Sequence, residues 1–318
     1  MSKQTSKARP KGSPKVSIGL PVYNGERYLA AAIDSVLAQT LDDFELIIVD
    51  NASTDRTGPI AERHAACDAR IRYVRNATNL GAAPNFNRAF ELATGAYFKW
   101  LAADDLIEPD YLMRTVAALD ADPEAVLCTT KVGVIDEEGR RIDSFDISLR
   151  TDSVQPTARF YDLLMVWHNC FDVFGLMRTT ALAQTPLIGS YVSGDSVLLA
   201  QLGLQGRFVT IPDFLFLSRR HAEQSNQIHA TGDKRSADHH AYTAWFDASK
   251  AGQFMLPQWE ILQAYNRSIN EAPLSIQERL LCRLYLARWA VRYRQPLLTD
   301  LRMAVGYLRR RTLVTAAG

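Results

Sequence analysis

Asp104 and Asp105 are the residues most suited to chemistry in this chain. Two adjacent carboxylates just after the apolar run 97–101 repel one another unless a cation or hydrogen bonds compensate. Hard divalent ions such as Mg²⁺ or Mn²⁺ take oxygen ligands and commonly bridge one or two carboxylates to phosphates. Two further polar clusters also follow apolar runs: Pro21-Val22-Tyr23-Asn24 and Asp50-Asn51-Ala52-Ser53-Thr54-Asp55. A cleft holding a Tyr, an Asn and several carboxylates could grip a base, a ribose and a metal-bound diphosphate. Taken singly, Asp50 also suits an Asx turn, Asp55 a helix cap and the Asp104-Asp105 pair a solvated turn. Their recurrence at three strand ends favours the ligand reading, because ligands gather at the carboxyl ends of strands in open α/β sheets.

The elements that must position these residues alternate. Residues 16–20, a run ended by Pro21, read as a strand, and Leu29, Ile33, Val36 and Leu37 recur at helical spacing. The continuous apolar run 44–49 marks a strand buried on both faces, and Ser53, Thr54 and Asp55 offer N-caps for a helix to about residue 66. The rhythm continues with strands at 71–74, 97–101 and 125–130 and helices at 84–92 and 109–119. Such alternation predicts a parallel sheet with helices on both faces. Glu137-Glu138-Gly139 reads as a hairpin turn, so the sheet becomes mixed there. A helix at 196–204 and strands at 207–211 and 214–217 follow, and past about residue 224 the chain reads as helices. The fold class is therefore α/β: a mixed, mainly parallel sheet flanked by helices, with a helical C-terminal extension.

Composition excludes other classes. The 318 residues are 47% hydrophobic and 22% charged, an ordinary globular balance. No apolar stretch approaches the roughly 20 residues of a spanning helix, and no signal-peptide core follows Met1. Cys67, Cys128, Cys170 and Cys282 show no paired spacing, so a reducing, cytoplasmic setting is expected. The net charge of +1 conceals basic ends: residues 1–15 carry +5 and residues 278–318 carry +7, leaving −11 for the body. An acidic body with two basic ends suggests that the ends meet an anionic surface and the body does something else, and no nucleic-acid partner is expected. Residues 1–14 cannot bury a core and are expected to be a disordered basic tail.

At this point the sequence resembles a known family. VSIGLPVYNGERYLAAAIDSVLAQTLDDFELIIVDNASTD and NLGAAPNFNRAFELATGAYFKWLAADDLIEPDYL resemble glycosyltransferase family 2, the inverting nucleotide-sugar transferases of GT-A (Rossmann-like) fold. The resemblance spans residues 16 to about 222, giving a catalytic domain at 15–223 and an extension at 224–318. It implies that Pro21, Val22 and Tyr23 line a base pocket and that Asp50 and Asn51 contact base and ribose. Asp104 is then a ribose and metal contact, Asp105 a metal ligand, and Mn²⁺ or Mg²⁺ the cofactor. Tyr191-Val192-Ser193-Gly194-Asp195-Ser196 resembles the motif bearing the family's general base, with Asp195 the base; a helix N-cap is the alternative use of that residue. In Ser218-Arg219-Arg220-His221, His221 corresponds to a loop residue that can reach the metal. Arg219 and Arg220 suit either a phosphate or a solvated pair, and His168 falls in an acceptor-side segment.

Departures from the family pattern shape the expectation. Asn51 and Ala102 stand where many members carry acids, and no Q-x-x-R-W motif is present, because Tyr285 occupies the Gln position ahead of Arg288-Trp289. A non-processive transfer of one sugar from a UDP- or dTDP-sugar to a saccharide or lipid-linked saccharide hydroxyl is expected. Rival readings are a metal-dependent nucleotidyltransferase, which would carry a Gly-rich Arg/Lys loop after the first strand, and a non-catalytic nucleotide-sugar-binding module. Arg279, Arg283, Arg288 and Arg292 recur at near-helical spacing beside leucines, with Arg309-Arg310-Arg311 beyond. That segment either packs on the catalytic domain or rests on anionic lipid at the inner face of the cell membrane.

Overall fold

A computed structural model describes residues 12–145, 149–191, 193–222, 224, 245–251 and 253–316, with the backbone alone for 306–316. Most of the expected N-terminal tail, Val192, Glu223 at the expected domain boundary, Ser225 and the side chains of Arg309 to Arg311 lie outside this description.

Four parallel strands build the first half: β1 (Val16–Val22), β2 (Phe44–Asp50), β3 (Ile71–Arg75) and β4 (Tyr97–Trp100). The connecting helices are α1 (Leu29–Leu37), α2 (Thr57–Cys67) and α3 (Ala82–Glu91). The short β5 (Leu106–Ile107), α4 (Tyr111–Ala121), the long β6 (Ala125–Ile135) and β7 (Arg141–Phe145) follow. Next come α5 (Pro156–Met165), a 3₁₀ turn (Phe171–Phe174), β8 (Leu176–Arg178), α6 (Thr179–Leu182), α7 (Gly194–Gln205) and β9 (Arg207–Arg219). Three helices close the chain: α8 (Pro257–Glu271), α9 (Ile276–Arg292) and α10 (Arg294–Ala316). The strands form one nine-stranded sheet in the order β3-β2-β1-β4-β8-β6-β9-β5, with β7 paired to β6. Apart from the β6–β7 hairpin, every long ladder is parallel.

Alternation along the strands feeds two cores. Leu46 and Ile48 of β2 face α1, α2 and α4, while Ile47 and Val49 face α3, α5, α7, α8 and α9. α3 can lie close on β1 because Gly19 has no side chain: a Cβ there would meet Ala89 and Phe98 at 2.8 Å. Ile261 and Tyr265 of α8, and Cys282, Leu286 and Trp289 of α9, share one buried cluster with the sheet. Trp289 is thus a core residue, packed between Tyr265 and Tyr293.

Several elements depart from the sequence reading. β1 runs through Pro21 to Val22, because pairing to β4 stops at Gly19 and no N–H is needed beyond it on that side. The runs 207–211 and 214–217 are one strand, β9, whose register against β6 shifts around Lys131. α2 starts at Thr57 with Arg56 at the N-cap position, so none of Ser53, Thr54 and Asp55 is its N-cap residue, although Asp55 Oδ1 accepts the Thr57 N–H at 3.0 Å. They instead help hold the preceding loop. Ser53 Oγ, Thr57 Oγ1 and Asp55 Oδ2 accept from the N–H groups of Asn24, Gly25 and Glu26 at 2.9, 2.8 and 3.0 Å.

Candidate active site

The expected nucleotide side is built where β1 and β2 end. Asp50, fully buried, accepts from Ser53 N–H (2.8 Å) through Oδ1 and from Tyr73 hydroxyl and Arg75 Nη1 (both 2.7 Å) through Oδ2. The Ser53 bond is the Asx-type turn open to Asp50. The Asn51 amide nitrogen donates to Asn79 Oδ1 (2.8 Å) and Gly81 O (3.1 Å), and its oxygen accepts from Asn76 Nδ2 (3.0 Å) and Leu80 N–H (2.9 Å). All four hydrogen-bonding positions of that side chain are taken. Pro21 and Val22 are buried, whereas Tyr23 is 48% exposed at the strand end.

β4 delivers the carboxylate pair. Asp105, 4% exposed, accepts the Arg219 N–H at 2.9 Å, and burial together with the neighbouring Asp104 pushes its carboxyl well above the usual range. His221, buried, donates from Nε2 to Asp104 Oδ2 at 2.9 Å, while its Nδ1 is buried with no hydrogen-bond partner among the described residues. Arg219 is a clamp and not an open phosphate ligand: its guanidinium donates to the carbonyls of Asp104, Asp136 and Glu137, all at 2.9 Å. It also lies over the Tyr28 ring. Arg220 is half exposed and faces Asp143 at 3.7 Å.

The sequence reading missed Lys99. Fully buried on β4, it donates to Trp100 O (2.8 Å), lies over the Tyr111 and Phe216 rings, and its charge faces Asp105. Burial pulls its ammonium down to about 7. The available signal was a lysine inside a run otherwise buried on both faces.

α7 begins at Gly194, so Asp195 sits in its first turn and Ser193 takes the N-cap position. Asp195 Oδ1 accepts the Ser196 N–H at 2.8 Å, and burial raises its carboxyl above the ordinary value. Cys170 Sγ lies 3.0 Å from Ser196 Oγ and 3.5 Å from His168 Nδ1, tying the segment before the 3₁₀ turn to α7. His168 and Asp172 border a separate, smaller cavity of about 80 Å³.

Asp104, Asp105 and Asp195 line one cavity of about 420 Å³. Phe86, Asn169, Cys170, Arg220, Trp245 and Phe246 are among its other walls. Pro21, Val22, Tyr23, Asp50 and Asn51 are not among the residues lining it, and neither is His221, which touches it through Asp104. Trp245 and Phe246 arrive through long-range packing: Ala248 N–H donates to Leu80 O (3.0 Å), and the segment crosses Gly81, where any Cβ would meet backbone at 2.7 Å. Left-handed, non-glycine backbone gathers around these loops, at Asn24, Ala52, Cys170 and Ser193. Such strain persists where surrounding structure over-determines it, commonly at functional sites.

The donor set fits a hard divalent cation. Two adjacent carboxylates, one of them hydrogen-bonded to the His221 imidazole, offer the oxygen ligands such ions prefer. Among the described residues no group of three or more His, Cys, Asp or Glu side chains is placed to hold a metal ion, so the carboxylate pair would need phosphate oxygens or water to complete a coordination shell.

The family model described as Glycosyl transferase family 2 matches residues 17–184. The chain belongs to that family. The chain is 40% identical over 129 residues to the putative glycosyltransferase EpsE of Bacillus subtilis, covering 40% of this chain and 46% of that one. It is 34% identical over 131 residues to chondroitin synthase of Escherichia coli, covering 41% and 19%. The chain thus spans less than half the length of either relative. Among solved structures, S. aureus TarS 1-349 in complex with UDP-GlcNAc superposes with TM-score 0.54 and 17% identity, over 91% of this chain and 92% of that one. That likeness shows the GT-A fold.

Proposed function

We propose that this glycosyltransferase moves one sugar from a UDP- or dTDP-sugar to a saccharide hydroxyl with inversion, in the assembly of a polysaccharide or other surface glycan. The observation that carries the reading is the shared cavity of Asp104, Asp105 and Asp195. A base on one wall and a diphosphate-holding pair on another suit displacement at an anomeric carbon lying between them. The partial identity with chondroitin synthase supports a polysaccharide context.

In this mechanism Asp104 and Asp105, with His221 beside them, would hold a divalent cation and, through it, the donor diphosphate. The bound Mn²⁺ or Mg²⁺ supplies charge neutralisation for the departing nucleotide. His221 orients Asp104 through the Nε2 hydrogen bond, and the Arg219 clamp fixes the loop that carries both carboxylates. Asp195 takes the proton from the acceptor hydroxyl as that oxygen attacks from the face opposite the leaving group. Its raised pKa makes it a stronger base than an ordinary carboxylate. Phe86, Trp245 and Phe246 exclude water from the reacting atoms. Tyr23 stacks on the base at the exposed strand end, with Pro21 and Val22 as its floor and Asp50 and Asn51 fixing the loop beneath. The 224–318 region serves the catalytic domain as a helical extension.

The test is product analysis with a panel of sugar nucleotides, each with Mn²⁺, Mg²⁺ or chelator, starting with UDP-GlcNAc because UDP-GlcNAc is the ligand in the TarS complex. Release of UDP or dTDP with a product of inverted anomeric configuration is expected. Release of pyrophosphate would mean nucleotidyl transfer, and tight binding without turnover would mean a binding module.

A further inference from the structure

α9 is apolar on two opposite faces. Cys282, Leu286 and Trp289 point inward and are buried, whereas Leu280, Leu284 and Val291 are 59%, 56% and 63% exposed. At 3.6 residues per turn these three outward residues fall within about 40° of one another, opposite the buried row. Ile276 extends the stripe, and Leu298, Leu301 and Val305 of α10 are exposed beyond it. Scattered exposed leucines are ordinary, but a continuous stripe marks a contact surface. Arg283 flanks the α9 stripe on one side, and Arg288 and Arg292 flank it on the other. Among the described residues no carboxylate pairs with these three. The two acids of α9 and α10 are occupied elsewhere: Glu278 in a capping box with Ser275, and the buried Asp300 accepting the Gln258 N–H at 2.8 Å.

The stripe also leads toward the cavity. Arg292 Nη1 donates to Met165 O at 2.8 Å, so the end of α9 touches the end of α5. The next residues, Val166 and Trp167, are exposed, Trp167 by 76%, and Asn169 and Cys170 then line the cavity. Trp is suited to the membrane–water boundary, where an apolar ring and a polar N–H are both satisfied.

We propose that the outward face of α9, extended by Trp167, docks on an anionic phospholipid bilayer and sets the cavity beside the membrane, within reach of a lipid-linked acceptor. The acceptor clause rests on the transferase reading; the docking does not. A bilayer fits better than a second copy of the chain. Self-association through this stripe would set Arg283, Arg288 and Arg292 against their like, whereas anionic headgroups neutralise them.

The test is co-sedimentation of the full chain with phosphatidylglycerol-containing and pure phosphatidylcholine vesicles, at low and high salt and without donor. Binding confined to the anionic vesicles and weakened by salt is expected. Leu280→Glu with Leu284→Glu, and separately Arg283→Gln with Arg288→Gln, should each weaken it about tenfold or more. These positions are solvent-exposed, so melting temperature and UDP release with a soluble acceptor should not change. Brominated lipid should quench wild-type fluorescence more than that of Trp167→Phe. Equal binding to neutral vesicles, or full binding by both double variants, would overturn the proposal. So would a dimer in sedimentation velocity that Leu284→Glu abolishes. Loss of donor turnover with lipid binding intact would instead count against the transferase reading alone.

Discussion

The loops after β1 and β2 and the cavity between β4 and α7 handle polar groups in opposite ways. In the first region Asp50 accepts three hydrogen bonds and Asn51 makes four, all inside the protein. In the second, Asp105 and Asp195 are carboxyls pushed upward by burial, and among the described residues His221 keeps a buried nitrogen without a partner. Asp50 and Asn51, committed to these bonds, have little capacity left for a ligand. Burial disfavours the ionised form of Asp105 and Asp195 in the empty protein, a cost that a cation or an acceptor hydroxyl can offset on binding. On the proposed mechanism, the first region is the scaffold for a donor and the second performs the reaction.

Asp195→Asn should sharpen that contrast most. Turnover should fall about 10²- to 10⁴-fold, with nucleotide affinity by calorimetry close to wild type. Wild-type turnover should rise with pH through the raised pKa, because the ionised form accepts the proton. Stability should move the other way. The fold favours protonated Asp195, so its stabilising contribution is complete below the unfolded pKa and is lost as pH rises through the folded one. The Asn variant should therefore melt at or above wild type at neutral pH, an advantage that closes in acid. A variant that retained turnover within a few-fold would remove Asp195 as the base.

Asp50→Ala should do the reverse. It leaves the Tyr73 hydroxyl and Ser53 N–H without their acceptor and Arg75 without its carboxylate, at a cost of about 2–4 kcal/mol in denaturant unfolding. An unchanged midpoint would show that the network is not a scaffold.

How much of this was legible in the sequence follows from which interactions are local. The run Phe44 to Val49 announced a strand buried on both faces, and Asp104, Asp105 and Asp195 stood out by type and motif; the structure brings these three carboxylates to one cavity. β8 is three residues of Leu176 to Arg178 with no periodic signal, held by neighbours on both sides. Trp245 and Phe246 reach the cavity through a contact with Leu80, far away in sequence. Lys99 is placed by the rings of Tyr111 and Phe216, which no spacing rule links to it. α9 carries apolar residues on two faces, so the outward stripe does not emerge from a search for a single face.

The carboxylate pair gives the next effect. Asp105→Ala should abolish the Mn²⁺-dependent part of UDP affinity, a loss of about 10- to 100-fold in calorimetry with and without metal. Asp104→Ala should lose less if its main ligand is ribose. Metal-enhanced affinity surviving both changes would move the cation elsewhere.

Tyr23→Ala offers the smallest and finest cut. Tyr23 is the exposed aromatic of the strand-end loops, while the polar groups beneath it are already engaged. If the scaffold region contributes a stacking surface in place of hydrogen bonds, removing the ring should weaken UDP and dTDP alike by about tenfold, the order expected for one base–aromatic stack. Metal dependence and the turnover of saturated enzyme should stay as they are, because the ring lies outside the cavity that holds Asp104, Asp105 and Asp195. Stability should not change either, since half of the side chain already meets water. A variant that discriminated between the two nucleotides, or lost turnover at saturation, would place Tyr23 in the reacting region, and the division between scaffold and chemistry would fail at that residue.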